Sequence, residues 1–162
     1  MLDYLQFVLA PQMLNGFAFG IAIVLMALGL TIIFGLLDVI NMSHGEFFAI
    51  GAYAGFVLLG MGVNFWVAVA LVPLLMLPIG ILTERLLIRQ VFDSADRHTL
   101  TLLLTLGLSM ITYDSLKLVF GPNPVRPENP IAGGVEVLGV FLPAYRMFLI
   151  FLGGAIIAAV WA

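Results

Sequence analysis

Long apolar runs alternate with short polar breaks along this chain, and the length of each run predicts a helix. At about 1.5 Å per residue, residues 15–37 reach about 35 Å, which exceeds the roughly 30 Å hydrocarbon core of a bilayer. Further apolar runs occupy residues 47–63, 65–82, 99–120 and 146–162. The pattern therefore predicts an all-α polytopic membrane protein with about five transmembrane or partly spanning helices.

The second run, residues 47–63, is short for a membrane span. It reaches about 25 Å as a helix, which is at the lower limit for crossing the bilayer. It can either cross the membrane or form a discontinuous helix that begins inside it, and both interpretations stay open. In the third run, Pro73 and Pro78 predict a kink without a stop, because neighbouring helices can satisfy the freed carbonyls.

Composition places the chain in the membrane and excludes several kinds of site. Hydrophobic residues make up 63% and charged residues only 9%, against roughly a quarter charged in soluble domains. The formal net charge of −3 gives no reason to expect a nucleic-acid partner. The absence of cysteine excludes disulfides and thiolate metal sites.

The distribution of basic residues and prolines predicts the orientation. Residues 84–98 contain Arg85, Arg89 and Arg97, half of the 6 basic residues, so the positive-inside rule makes this loop cytoplasmic. Residues 121–145 begin with a proline-rich segment that predicts an irregular exterior loop. The N-terminus is outside if the second run spans and inside if it is re-entrant. The lack of basic residues in residues 1–15, which could hold the N-terminus inside, favours spanning.

Two further expectations concern the second half of the chain. Asp114 and Lys117 are three residues apart near the outer end of their run and can pair on one helix face. The last run has no flanking charge at its far end, so we expect a truncated helix. We therefore interpret residues 1–162 as a single transmembrane domain that is the N-terminal part of a longer protein.

A polar break separates the first two runs, formed by Asp38, Asn41, Ser43, His44 and Glu46. Such a cluster is costly in a membrane unless it lies at the surface, lines a cavity or binds something. The S-x-x-E spacing predicts a capping box, in which Ser43 caps a helix and Glu46 bonds back to the Ser43 amide. The functional interpretation adds that the amides of this helix N-terminus attract a carboxylate, with Asn41 and His44 as polar neighbours.

Small hydroxyl residues recur at roughly four-residue spacing in the fourth run, at Thr99, Thr101, Thr105 and Ser109. Helix packing and hydrogen bonds to the carbonyl four residues back explain most of them. Thr105 and Ser109 lie deeper in the span and are candidates for lining a pathway.

Catalytic and metal sites have little support. His44 and His98 are the only histidines, and neither H-E-x-x-H nor G-x-S-x-G is present. We therefore expect no enzyme activity, no catalytic residue and no metal site.

Two groups of motifs resemble the branched-chain amino acid ABC transporter permeases. The first group is Gly29-Leu-Thr-Ile-Ile-Phe-Gly35, Asn41-Met-Ser-His-Gly-Glu46 and Gly51-Ala-Tyr53. The second is Thr105-Leu-Gly-Leu-Ser109 followed by Phe120-Gly-Pro122. Their order and spacing are those of the family, and the high-affinity permeases are the subgroup that the chain resembles most.

The resemblance implies a multi-pass permease of the bacterial or archaeal inner membrane that carries branched-chain or related amino acids. It implies a second permease subunit, cytoplasmic ATPase subunits and an external substrate-binding protein as partners. ATP would be bound by those separate subunits, and the chain itself contains no Walker A motif. No cofactor is implied. The candidate substrate-pathway residues are Asn41, Ser43, His44, Gly45, Glu46, Tyr53, Thr105 and Ser109.

Two other functions compete with this interpretation. One is a passive channel or permease for a small neutral solute, such as urea or an amide, also built from broken helices. The other is a membrane scaffold in which glycine-rich helices serve only assembly. A requirement for ATP separates the importer from the channel, and loss of uptake without loss of assembly separates it from the scaffold.

Overall fold

Five membrane-type helices follow one another along the chain, as the apolar runs predict. The computed structural model describes residues 8–125, 131–137 and 140–161. Its principal helices are α1 (Ala10–Leu37), α2 (His44–Gly60), α3 (Phe65–Thr83), α4 (Arg97–Phe120) and α5 (Ala144–Trp161). The all-α polytopic fold is therefore confirmed.

Four of the described helices are long and apolar enough to cross a membrane, namely α1, α3 with its extension, α4 and α5. The 17-residue α2 is shorter. Large apolar side chains are exposed on the helices, while polar side chains dominate the few buried positions. This distribution is expected where lipid surrounds the apolar surface. The buried side chains among the described residues are Ala18, Val39, Ala68, Asn41, Ser43, Thr101 and Thr105.

The helix that begins with α3 continues into the segment predicted as a polar loop. A π-helical turn, Glu84–Ile88, follows α3, and an α-helical turn, Arg89–Val91, follows that. The loop interpretation of residues 84–98 is therefore wrong for 84–91, because the apolar residues between the arginines still favour a helix. It is also wrong for 97–98, where α4 begins. The α3 helix also continues through Pro73 and Pro78, as predicted. The kink expected at these prolines remains a prediction.

The chain divides into two compact units, Met1–Gly29 with Glu128–Ala162, and Leu30–Pro127. In the first unit α5 packs on α1 at Gly153, where an added Cβ would overlap the Ile21 side chain. An antiparallel hairpin pairs β1 (Gly134–Val137) with β2 (Val140–Pro143). The predicted irregular exterior loop therefore contains ordered strands, which its proline-rich segment, residues 121–130, did not indicate because that segment lies before the hairpin.

In the second unit α2 packs against both α3 and α4. Gly51 and Gly55 lie one helical turn apart and face Val72 of α3, whose methyl groups would lie 3.6 and 3.7 Å from Cβ atoms added at the two glycines. Small residues at this spacing let membrane helices approach closely. On the other side, the Tyr53 ring stacks on Phe120 with centroids 4.2 Å apart. These contacts fix the direction of α2 and the position of its first turn.

The predicted ion pair near the end of α4 is not formed. No described contact joins Asp114 to Lys117; instead the Lys117 ammonium lies 4.1 Å from the centroid of the Tyr113 ring. Residues four apart lie close together on a helix, and an aromatic face attracts a cation. The aromatic neighbour therefore takes the place of the carboxylate.

Candidate functional site

The break between α1 and α2 is a compact turn built around the side chain of Asn41. Its Oδ1 accepts hydrogen bonds from the Ser43 amide at 3.0 Å and from the Ser43 hydroxyl at 2.7 Å. The Asn41 carbonyl accepts a third bond from the His44 amide at 3.4 Å. Asparagine commonly forms such turns by bonding to the backbone two residues ahead. Asn41 therefore starts α2.

The predicted capping box is wrong. Ser43 stands immediately before α2, but its side chain makes no capping bond; its hydroxyl instead donates to Asn41. The Ser43 amide, which Glu46 was expected to bind, is also bonded to Asn41. A capping box needs both groups of the serine to be available. The S-x-x-E spacing is thus present without the hydrogen bonds that it usually indicates.

The Thr105 hydroxyl ties the break to the middle of α4. Its Oγ1 accepts from the Met42 amide at 3.0 Å and donates most closely to the Thr101 carbonyl, at 2.8 Å. The side chain is 2% exposed, so water does not replace these bonds. The bond to the carbonyl four residues back is the one expected for a helical threonine. The bond to Met42 adds a tertiary contact between residues distant in sequence.

A second contact holds the other end of the break. Asp38 has a positive φ of 54°, a conformation that aspartate adopts more readily than most residues. Its carboxylate accepts from the Arg97 guanidinium at 2.7 Å and contacts Nε2 of His98 at 2.9 Å. The hydrogen bond to His98 is the largest effect and lowers the pKa of Asp38; desolvation, the next largest, raises it, and the charge of His98 and the contact with Arg97 lower it further. We call this group, Asp38 with Arg97 and His98, the carboxylate clip.

A cavity of about 690 Å³ opens beside the break. The end of α1, the start of α2 and the last turns of the α3 helix form its walls. Asn41 and His44 lie in its lining together with apolar and charged side chains. The complete lining is Ile33, Val39, Asn41, His44, Phe47, Gly80, Thr83, Glu84, Ile88, Arg89, Phe92 and Asp93.

The other candidate pathway residues lie elsewhere. Ser43 and Thr105 are buried and hold the turn, while Gly45 is exposed and Glu46 half-buried on the first turn of α2. Tyr53 stacks on Phe120, and Ser109 lies half-buried on α4. The structure therefore brings Asn41 and His44 together at the cavity. Ser43 and Thr105 do not line it but hold the turn that carries Asn41.

Sequence reasoning missed the charged part of the cavity lining, which is formed by Glu84, Arg89 and Asp93. These residues were interpreted only as part of a cytoplasmic loop. Their spacing of four and five residues could have indicated a shared helical face if the helix had been extended past residue 83. Within the described residues, no three His, Asp or Glu side chains are grouped closely enough to hold a metal ion.

Comparison with known proteins identifies similar sequences. Residues 12–162 match the profile of the family described as branched-chain amino acid transport system / permease component. The high-affinity branched-chain amino acid transport system permease protein LivH of Salmonella typhimurium is 29% identical over 123 residues, as is that of Escherichia coli K12. The matched part covers 70% of this chain and 39% of LivH.

A second relative is similar over a shorter segment. The high-affinity branched-chain amino acid transport system permease protein BraD of Pseudomonas aeruginosa is 39% identical over 46 residues, which is 28% of this chain and 15% of BraD. No solved structure matches the chain. The chain thus spans well under half the length of the curated relatives that it matches.

We expect Thr105→Val to loosen the break without unfolding the chain. Valine keeps the shape of threonine but leaves the Met42 amide without its acceptor, which should cost about 1 kcal/mol or somewhat more. Thermal unfolding in detergent measures the loss. Thr99→Val, at an exposed position of the same helix, is the matched control, and Thr105→Ser should restore stability. Equal melting temperatures for the Thr105 and Thr99 variants would contradict the tether.

The carboxylate clip should give stability a dependence on acid pH. A carboxyl whose pKa is lowered by folding stabilises the folded chain above its ordinary pKa, here 3.8, and loses that contribution as the pH falls through the lowered value. Asp38→Asn should therefore melt earlier than the wild type at pH 7, and the difference in melting temperature should shrink as the pH is lowered below 3.8. Asparagine also tolerates the positive φ. Asp114→Asn is the control, and a pH-independent difference for Asp38→Asn would refute the clip.

Proposed function

The chain belongs to the branched-chain amino acid transport permease family, and from this premise we propose that it is a membrane-spanning subunit of an ATP-driven importer. Its cargo would be a branched-chain or related amino acid. A second permease, ATPases on the cytoplasmic side and an external binding protein would complete the assembly. The chain would provide the route through the membrane and no catalytic step, and its location would be the bacterial or archaeal inner membrane.

The observation that carries the proposal beyond family membership is the cavity beside the polar break. Asn41 and His44 face it, whereas most of the surrounding helix surface is apolar. The turn positions Asn41 without using its full hydrogen-bonding capacity, since its side-chain NH₂ is a donor that its bonds to Ser43 do not occupy. A partly polar cavity of this kind can replace water around a zwitterion during its passage.

We also propose that the cavity is the cytoplasmic mouth of the route. The clip holds the end of α1 against the start of α4, and the cavity joins Asn41 to Glu84. The break therefore lies at the same end of its unit as the arginine-rich segment, which the positive-inside rule places in the cytoplasm. In this arrangement α2 begins at the membrane surface and crosses, and the N-terminus is outside.

Uptake of labelled leucine tests the function. Membrane vesicles that contain the protein with its complete assembly should accumulate leucine when ATP is present on the cytoplasmic side and should not when ATP is withheld. Equilibration of leucine, urea or an amide without ATP would instead support a passive channel. Normal assembly without any uptake would support a scaffold.

His44→Ala should reduce leucine uptake while the assembly forms in normal yield. The imidazole lies in the cavity lining, so its removal takes a polar group from the route. Glu46→Gln is the matched control, because Glu46 lies on the same helical turn but outside that lining. Uptake rates normalised to the amount of assembled protein give the comparison. Wild-type rates for His44→Ala would exclude the imidazole from the route.

Single cysteines introduced into this cysteine-free chain test the orientation. Ala95→Cys lies between the α3 helix and α4, and Met61→Cys lies in the turn between α2 and α3, where Met61 is 74% exposed. An impermeant thiol reagent should label position 61 from outside the cell and position 95 only after the membrane is opened. Labelling of both positions from the same side would show that the α3 helix, which lies between them, does not cross the membrane, and would contradict this orientation.

A further inference from the structure

Three charged side chains, Glu84, Arg89 and Asp93, line the cavity together with apolar ones. They lie on the last turns of the α3 helix and just beyond them. We call them the charged rim. None of the three takes part in the hydrogen bonds that hold the polar break. The proposed route assigns a role only to Asn41 and His44, so the charged rim has no function assigned to it yet.

The π-helical turn brings the first two members of the charged rim together. The Arg89 amide donates to the Glu84 carbonyl, the bond between residues five apart that defines this kind of turn. In an α-helix, residues five apart point about 140° away from each other. The wider turn moves Arg89 back toward the face of Glu84, so that both residues line one cavity.

Members of the charged rim do not neutralise one another. The ion pairs among the described residues join Asp38 to Arg97 and His98, and none includes a rim residue. A cationic and two anionic groups therefore share one cavity without pairing. Beside them, Ile33, Val39 and Phe47 supply an apolar surface. Opposite charges separated in this way, next to an apolar wall, are complementary to a zwitterion that carries an apolar group.

We propose that the charged rim is the recognition element of this cavity: Arg89 binds the carboxylate of an amino acid, and Glu84 and Asp93 bind its ammonium. The apolar side chain lies against Ile33 and Phe47. This inference rests on the proposed function and assigns specificity to residues outside the break. Arginine suits the role because its guanidinium can bind both oxygens of a carboxylate at once.

The open position of the charged rim suits transport. Arg89 and its two acidic neighbours are exposed, so solvent screens each contact and the bound amino acid can leave. A fully buried site would hold the charges more strongly. The apolar wall selects for a hydrophobic side chain, since burying apolar surface is favourable in proportion to its area.

Protection of a cysteine in the cavity measures binding directly. Thr83 lines the cavity, and Thr83→Cys in the cysteine-free, full-length protein in open membrane vesicles gives a single reactive thiol. Leucine should slow the labelling of this thiol. Leucinamide, which keeps the ammonium and the side chain but lacks the carboxylate, should protect much less.

Variants of the charged rim then test each assignment. Arg89→Gln should raise the leucine concentration needed for half-protection about tenfold, because a hydrogen bond to a charged group is lost. It should also abolish the preference for leucine over leucinamide. Arg85→Gln is the matched control, because Arg85 is exposed on the same turn but does not line the cavity. Combined Glu84→Gln and Asp93→Asn should weaken protection by leucine and leucinamide alike.

The outcomes separate this inference from the proposed function. ATP-dependent leucine uptake without protection of the thiol, or with protection that Arg89→Gln leaves unchanged, would overturn the inference alone. Protection with the predicted specificity but without uptake would contradict the importer and keep the binding site. A phospholipid headgroup has the same pair of charges; protection by phosphatidylethanolamine but not by leucine would assign the rim to lipid and overturn the proposal.

Discussion

The Thr105 hydroxyl is the group on which the arrangement of the polar break depends. In an apolar environment an unpaired amide is costly, because no water replaces the missing partner. The Met42 amide is satisfied only when the break lies against α4, and Asn41 then satisfies the next residue from within the turn. A few buried hydrogen bonds therefore select one conformation for a segment that apolar packing alone would leave undetermined.

That conformation determines where a cavity can form. Because the break is held at α4 by Thr105 and at its other end by the carboxylate clip, the first turn of α2 begins beside the last turns of the α3 helix. The close approach of α2 to α3 at Gly51 and Gly55 sets the distance between the two walls. Polar groups from the break and charged groups from the π-helical turn then face the same space.

The sequence predicted the ends of a helix well where the length and hydropathy of an apolar run are enough to define them. The start of α3 at Phe65 and the end of α4 at Phe120 coincide with the ends of apolar runs, because a membrane helix needs a continuous apolar stretch of about 20 residues. The prediction was less accurate where polarity and helix propensity disagree. Leu86 and Ile88 continue the helix through a charged segment, and Asn15 lies inside α1 although we expected the helix to begin there.

Residue type and near-neighbour spacing are enough to predict an α-helical membrane protein, the position of its polar break and the family that the chain resembles. The hydrogen-bond and ion-pair partners of the polar residues, in contrast, depend on how the helices pack. Ser43 bonds to Asn41 in place of capping α2, Asp38 pairs with residues 59 and 60 positions away, and the π-helical turn places Arg89 at the cavity. Hydrogen-bond partners depend on distances between helices and on competition among acceptors, and neither is encoded in local periodicity.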